Sequence, residues 1–177
     1  MNLNGSKICP KTTKQQGVSQ VEFIEPVLGT KNIRLAMRDL IAQHDWDYFV
    51  TANLNRDTNW HGAKRLLRDW HAQVDRRILG GRWQRKKDQR TFFIACCEGG
   101  ETNIHWHLFV KVKQEKQPRF EQAAAVLWEG LVPSGSMDIQ KLPSKADTFR
   151  AAGYATKDFW RKEAIENFVL STEFIGD

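Results

Sequence analysis

Two histidines one residue apart, His105-Trp106-His107, and a tyrosine three residues ahead of a lysine, Tyr154 and Lys157, are the side chains whose types and spacing could do chemistry together. On an extended strand successive side chains point to opposite faces. His105 and His107 therefore project from one face, about 7 Å apart at roughly 3.3 Å of rise per residue. At that separation two imidazoles can converge on one cation, while Ile104, Trp106, Leu108 and Val110 pack the other way. The preceding Gly99-Gly100-Glu101-Thr102 reads as a tight turn. Folding the hairpin about it sets Glu98 across from His105 on the same face, with Cβ atoms about 5 Å apart. Two imidazoles and a carboxylate suit a divalent cation such as Mn²⁺ or Mg²⁺, with positions open to phosphate oxygens and water. An isolated His-x-His equally fits two polar residues on a solvated face; the facing Glu98 and the apolar flanks shift the balance toward a metal centre.

Helical spacing places Tyr154, Lys157 and Asp158 on one face, with Phe149, Ala152, Thr156 and Phe159 as the packing stripe behind them. The chain has only two tyrosines. A phenol with an ordinary pKa near 10 attacks poorly. A cation beside it stabilises the phenolate, and a divalent metal on a phosphate polarises the target as a Lewis acid. Tyr154 is therefore the candidate nucleophile. Taken without the histidine strand, the same segment reads as a tyrosine packed on a neighbouring helix beside a solvated Lys157-Asp158 pair.

The elements that must position these groups follow from periodicity. Residues 46–55 alternate, with Tyr48, Val50, Ala52 and Leu54 on one face and Phe49, Thr51, Asn53 and Asn55 on the other, and so predict a strand. Residues 59–79 carry Ala63, Leu66, Leu67, Trp70, Val74 and Ile78 at helical spacing, closed by Gly80-Gly81. Residues 91–98 and 103–112 predict a hairpin of two strands. A second helix follows Pro118, with Phe120, Ala123, Ala124, Leu127 and Leu131 as its apolar face. Residues 137–142 read as a fourth strand, and Asp147 as the cap of a third helix running through Tyr154 into Trp160. The order is that of an α+β, ferredoxin-like split βαβ domain: an antiparallel sheet with helices on one face and the metal site on the other, free face, which is a common platform for nucleic acid. Residues 1–20 are polar and aperiodic and predict a flexible lead-in to a single domain over residues 21–177.

The 177 residues hold 41% hydrophobic side chains, including seven Trp and ten Phe, which suffices for one core and excludes global disorder. A formal charge of +6 suits a phosphate-bearing partner without demanding one. Three cysteines, two of them adjacent (Cys96 and Cys97), form neither a disulfide framework nor a Cys-x-x-Cys zinc motif, so packing in a reducing compartment is the expectation. No apolar run approaches the roughly 20 residues of a membrane span, and the first residues lack a signal-peptide core. A cytoplasmic location is expected, or a nuclear one in a eukaryotic host. His44, His61 and His71 read as ordinary surface or helix residues.

A strand ending in Thr-x-Asn, a Glu seven residues before a His-hydrophobic-His strand, and a later Tyr-x-x-Lys resemble the three ordered motifs of the HUH endonucleases. The branch they most resemble is the single-tyrosine rolling-circle replication initiators of plasmids and small single-stranded DNA viruses. The resemblance spans residues 46–160. It implies that Tyr154 attacks a DNA phosphodiester and stays joined to the 5′ phosphate, freeing a 3′ hydroxyl to prime synthesis. It implies that Glu98, His105 and His107 hold the metal, that Lys157 positions the phosphate or the metal-bound water, and that Asp158 approaches the metal. Thr51, Asn53 and Asn55 match the first motif, which helps to shape the DNA-binding face. The implied partner is single-stranded DNA at an origin hairpin or similar nick site, served by a separate helicase and polymerase, since no G-x-x-x-x-G-K-[ST] phosphate loop occurs. Insertion-sequence transposases of the superfamily usually have Gln where Lys157 stands, which makes them the second choice. A non-catalytic single-stranded nucleic-acid-binding module on the same sheet is the alternative from another class.

Further positive charge gathers after the first strand. Arg82, Arg85, Lys86, Lys87 and Arg90 form the preferred DNA-contacting loop, because nothing in their pattern demands burial, and Trp60, Trp70 and Trp83 are interleaved as stacking candidates.

Overall fold

The computed structural model describes residues 30–99, 103–159 and 168–175; the expected lead-in over residues 1–20 lies outside them. The elements, in chain order, are α1 (Thr30–Gln43), β1 (Tyr48–Asn53), α2 (Trp60–Leu79), β2 (Phe92–Glu98), β3 (His105–Lys111), α3 (Gln117–Leu131), β4 (Ser136–Lys141), α4 (Lys145–Ala155) and β5 (Phe168–Leu170). The chain is α+β, with a five-stranded, wholly antiparallel sheet in the order β4-β1-β3-β2-β5.

The strand alternation read from the sequence partitions the sheet as expected. Tyr48, Val50 and Ala52, with Trp106, Leu108 and Val110 and with Phe93, Ala95 and Cys97, face α2 and α3 and form the larger core. Trp70 on α2 and Trp128 on α3 are fully buried there. Their indole N–H groups donate to Ala124 O at 2.9 Å and Asn53 O at 2.9 Å, so these two rings bring no unmet donor into the core, whereas the buried Trp106 indole N–H has no partner. The second bond fixes α3 to the end of β1.

The opposite face is not free. Ile41 of α1, Ala152 and Ala155 of α4, and Phe159 pack on Phe49, Phe109, Ile94 and Cys96 to make a second core. The sheet has helices on both sides: α2 and α3 on one, α1 and α4 over part of the other. Along the apolar spacing Ile33-Met37-Ile41, Met37 and Ile41 bring α1 onto that face. Toward one end of this face Glu98 and His105 remain part-exposed, while His107 is buried.

Local signals place the helix ends. Asn59 caps α2 by accepting from Gly62 N at 2.8 Å, and the chain leaves the helix through Gly80 at φ 74°, a left-handed conformation that glycine adopts without cost. The cap of α4 is Ser144, not Asp147: the Ser144 hydroxyl accepts from Asp147 N at 3.2 Å, and Asp147 stands in the first turn. The helix ends at Ala155 with Thr156 as its C-terminal cap, so Lys157 and Asp158 lie in the following turn, and Trp160 falls outside the described residues. Phe149, expected in the packing stripe, is exposed and lies under the Arg38 guanidinium at 4.5 Å.

His71 departs furthest from its expected surface role. It is completely buried, with Nε2 2.8 Å from Thr91 O and 3.2 Å from Asp75 Oδ2. Arg90 meets the same Asp75 oxygen at 2.5 Å, and Asp75 Oδ1 accepts from Thr91 N at 2.9 Å. This buried network ties the middle of α2 to the start of β2. Burial drives the His71 pKa down, against the raising influence of Asp75.

Candidate metal centre and nucleophile

The hairpin register sets Glu98 opposite His105 and Cys96 opposite His107. On the other side of β3, Thr51 of β1 is opposite His107 and Asn53 is opposite His105. Period-2 alternation brings Glu98, His105 and His107 to one face, where a potential ligand atom from each lies within 4.8 Å of the others. Glu98 Oε2 is 2.9 Å from His107 Nε2 and 3.3 Å from His105 Nε2. Glycine is required where the hairpin begins: Gly99 has φ +87°, and a Cβ there would stand 2.5 Å from the carbonyl oxygen of Asn103.

The rear nitrogens of both imidazoles are occupied. His105 Nδ1 is 3.2 Å from the carbonyl oxygen of Asn103, and His107 Nδ1 is 3.2 Å from Thr51 Oγ1. These contacts fix both rings with Nε2 facing the Glu98 carboxylate, so the nitrogens that a cation would bind are already turned toward the cluster. Phe49 stacks on the His107 ring at 5.5 Å and 13°, holding its plane. The donor set and its outer supports fit a divalent cation. These supports, Thr51 and the Asn103 carbonyl, are functional groups whose part the sequence does not disclose. Thr51 was expected on the DNA-binding face; here its hydroxyl meets the His107 ring.

Tyr154 meets this cluster from α4. Its ring is 5.0 Å from that of His107 at 70°, and 6.5 Å from that of Phe49. The side chain is half-exposed. Lys157 Nζ stands 4.1 Å from the Tyr154 ring centroid and 2.7 Å from Glu98 Oε1. One ammonium therefore links the carboxylate of the cluster to the phenol.

Electrostatics follow from this packing. Burial would raise the Glu98 pKa, but hydrogen bonds from Lys157 and His107 outweigh it and hold the carboxylate below its usual range. Burial lowers the His107 pKa, assisted by the nearby His105 and Lys157 charges and opposed by Glu98, so His107 is kept neutral. The Glu98 carboxylate raises the Lys157 pKa and keeps it an ammonium. Burial pushes the Cys96 and Cys97 thiols up to about 12, which suits packing residues and not nucleophiles.

No protein-family model, no curated protein and no solved structure matches this chain.

Other predicted site residues stand apart. Asn53 reaches Ser136 Oγ at 3.3 Å at the end of β1, and Asn55 turns the chain toward α2 at φ 51°. Asp158 is not in the ligand cluster. The Arg82–Arg90 segment joins the far end of β2, six residue steps from Glu98 and hence about 20 Å away. Within it Lys86 Nζ donates to Leu79 O at 2.7 Å, closing the end of α2. Arg90 is committed to the buried Asp75 and lies 4.8 Å from the Trp83 ring centroid. Burial is therefore demanded of Arg90, contrary to its sequence reading, whereas Arg82, Arg85 and Lys87 are exposed. Trp60 packs on Trp106 at 5.2 Å and Trp70 is wholly in the core, which removes Trp70 as a stacking platform. No helix among the described residues is long and apolar enough to cross a membrane.

Proposed function

We propose that this protein is a metal-dependent, single-tyrosine nicking and joining enzyme for single-stranded DNA, of the kind that initiates rolling-circle replication of a plasmid or small virus. The observation that carries the proposal is the meeting of Tyr154 with the ligand cluster: its ring is 5.0 Å from His107, and Lys157 bridges it to Glu98. The strand order β4-β1-β3-β2, with α2 and α3 as the crossovers, supports a ferredoxin-like split βαβ core to which β5 adds an edge strand.

Mn²⁺ or Mg²⁺ held by Glu98, His105 and His107 would supply Lewis-acid polarisation of the scissile phosphate. The Tyr154 phenol gives up its proton to solvent, and its oxygen attacks phosphorus. The new O–P bond replaces the bond to the 3′ oxygen, which leaves and takes a proton to become a 3′ hydroxyl. Tyr154 thereby keeps the 5′ phosphate. Lys157 offsets negative charge at the phenol and the phosphoryl oxygens. Attack of the free 3′ hydroxyl on the phosphotyrosine reverses the step and joins ends. Strand separation and synthesis fall to a separate helicase and polymerase, and the exposed Arg82, Arg85 and Lys87 are proposed to hold DNA flanking the nick. The setting is cytoplasmic, or nuclear in a eukaryotic host.

The test is incubation with a labelled pool of single-stranded hairpin oligonucleotides and Mn²⁺. A covalent adduct that survives denaturant, needs the metal and is lost in Tyr154→Phe is expected. Absence of any adduct across the pool, with DNA binding intact, would leave a non-catalytic DNA-binding module instead.

A further inference from the structure

Lys157 is the feature of the site whose chemistry reaches beyond phosphate positioning. Its ammonium sits 2.7 Å from Glu98 Oε1, while Oε2 of the same carboxylate faces both imidazoles at 2.9 and 3.3 Å. Glu98 is thus shared between an internal cation and the ligand cluster. Its side chain is 17% exposed and that of Lys157 36%, so water screens the pair only in part. Two features give the ammonium an alternative position. It lies beyond the end of α4, in the turn after Ala155, and a second acceptor surface, the Tyr154 ring, is 4.1 Å away.

We propose that Lys157 and a divalent cation compete for the charge of Glu98, so that metal loading moves the ammonium from Glu98 toward the Tyr154 phenol. The inference rests on the metal-binding part of the proposed function. A doubly positive ion beside Glu98 draws on the negative charge that holds Lys157, and like charges repel over a few ångströms in a site of reduced dielectric. Lys157 then has one neighbouring partner left, the phenol or the phosphate it attacks. The lysine that suppresses metal binding in the resting protein becomes the cation at the nucleophile once metal is present. Metal occupancy and nucleophile activation are therefore coupled through one side chain, and by linkage the coupling acts in both directions.

The competition has a readout that needs no DNA. Removing the ammonium removes both the repulsion and the occupant of Glu98, so Lys157→Met should tighten Mn²⁺ binding by about tenfold. Lys157→Arg keeps the charge and should stay within about twofold of the parent protein. Mn²⁺ affinity is measured by calorimetry or by the free-ion electron paramagnetic resonance signal, with circular dichroism to verify folding of each variant. An unchanged or weaker Mn²⁺ affinity in folded Lys157→Met overturns the competition and leaves the metal site standing. No Mn²⁺ binding by the parent or either variant overturns both the competition and the metal reading on which it rests.

Discussion

Thr51 on β1 and His107 on β3 are register partners, and the threonine hydroxyl lies 3.2 Å from His107 Nδ1. The contact fixes the orientation of the imidazole, whose Nε2 faces Glu98. Thr51→Val keeps the shape and the strand preference but removes the hydrogen bond. Mn²⁺ affinity should fall by about tenfold or more, the usual effect of losing an outer-shell partner, while Thr51→Ser should retain it. Equal affinities in a titration of the two variants would sink this role.

Tyr154 is half-exposed and contributes no ligand atom to the cluster. Tyr154→Phe should therefore abolish the covalent adduct while leaving Mn²⁺ affinity within about twofold and the melting temperature almost unchanged, as for most surface substitutions. An adduct that persists in this variant would place the nucleophile elsewhere.

Arg90 and Asp75 form an ion pair with side chains 5% and 0% exposed. Arg90→Met leaves a buried carboxylate without its cation and should cost about 3–5 kcal/mol of folding stability in urea denaturation. Metal affinity should survive, because the pair lies about 20 Å from Glu98 by strand rise. A loss below about 1 kcal/mol would show that Asp75 is satisfied without Arg90.

The buried His71 gives the fold a dependence on pH. Burial holds its folded-state pKa below the ordinary 6.5. The unfolded chain therefore binds the proton first as pH falls, so the stability from this site is complete above about 6.5 and is lost below it. Melting temperatures between pH 7.5 and 5.5 should drop, and drop less in His71→Asn, which can still donate to Thr91 O. Parallel curves for the two proteins would contradict the assignment.

Arg82, Arg85 and Lys87 should contribute affinity without chemistry. Replacing all three with Ala should reduce the slope of log affinity against log salt by about 2, at roughly 0.7 per lost phosphate contact on a single strand. The effect should appear only with oligonucleotides that extend about 20 Å from the nick, and adduct formation at saturating DNA should be unchanged. An unaltered salt slope would exclude this loop from the DNA path.

Much of the cluster was legible because a strand's period of two leaves no freedom. Once His105 and His107 share a face and the turn is placed, Glu98 has only one register that reaches them, and that register is observed. The direction of approach of Tyr154 was not legible. It depends on Ala152, Ala155 and Phe159 packing on Phe49, Phe109 and Cys96, contacts between segments far apart in sequence. The first helix was missed although Ile33, Met37 and Ile41 repeat every four residues, since exposed Leu35 and Leu40 blur the stripe. The three-residue β5 is too short for any pattern. Arg90 looked like a free cation because its partner Asp75 lies fifteen positions back on a helix whose charges otherwise face water.

Ala152 and Ala155 form the layer between the tyrosine helix and the sheet, and both are almost completely buried. The gap between the phenol and the histidines is consequently a matter of side-chain thickness. Each added methylene at either alanine would lift the whole turn carrying Tyr154 and Lys157 away from the histidines while changing no polar group. Reach, in this protein, is gauged by two methyl groups, and an enlarged series at Ala155 would amount to a ruler for the proposed reaction.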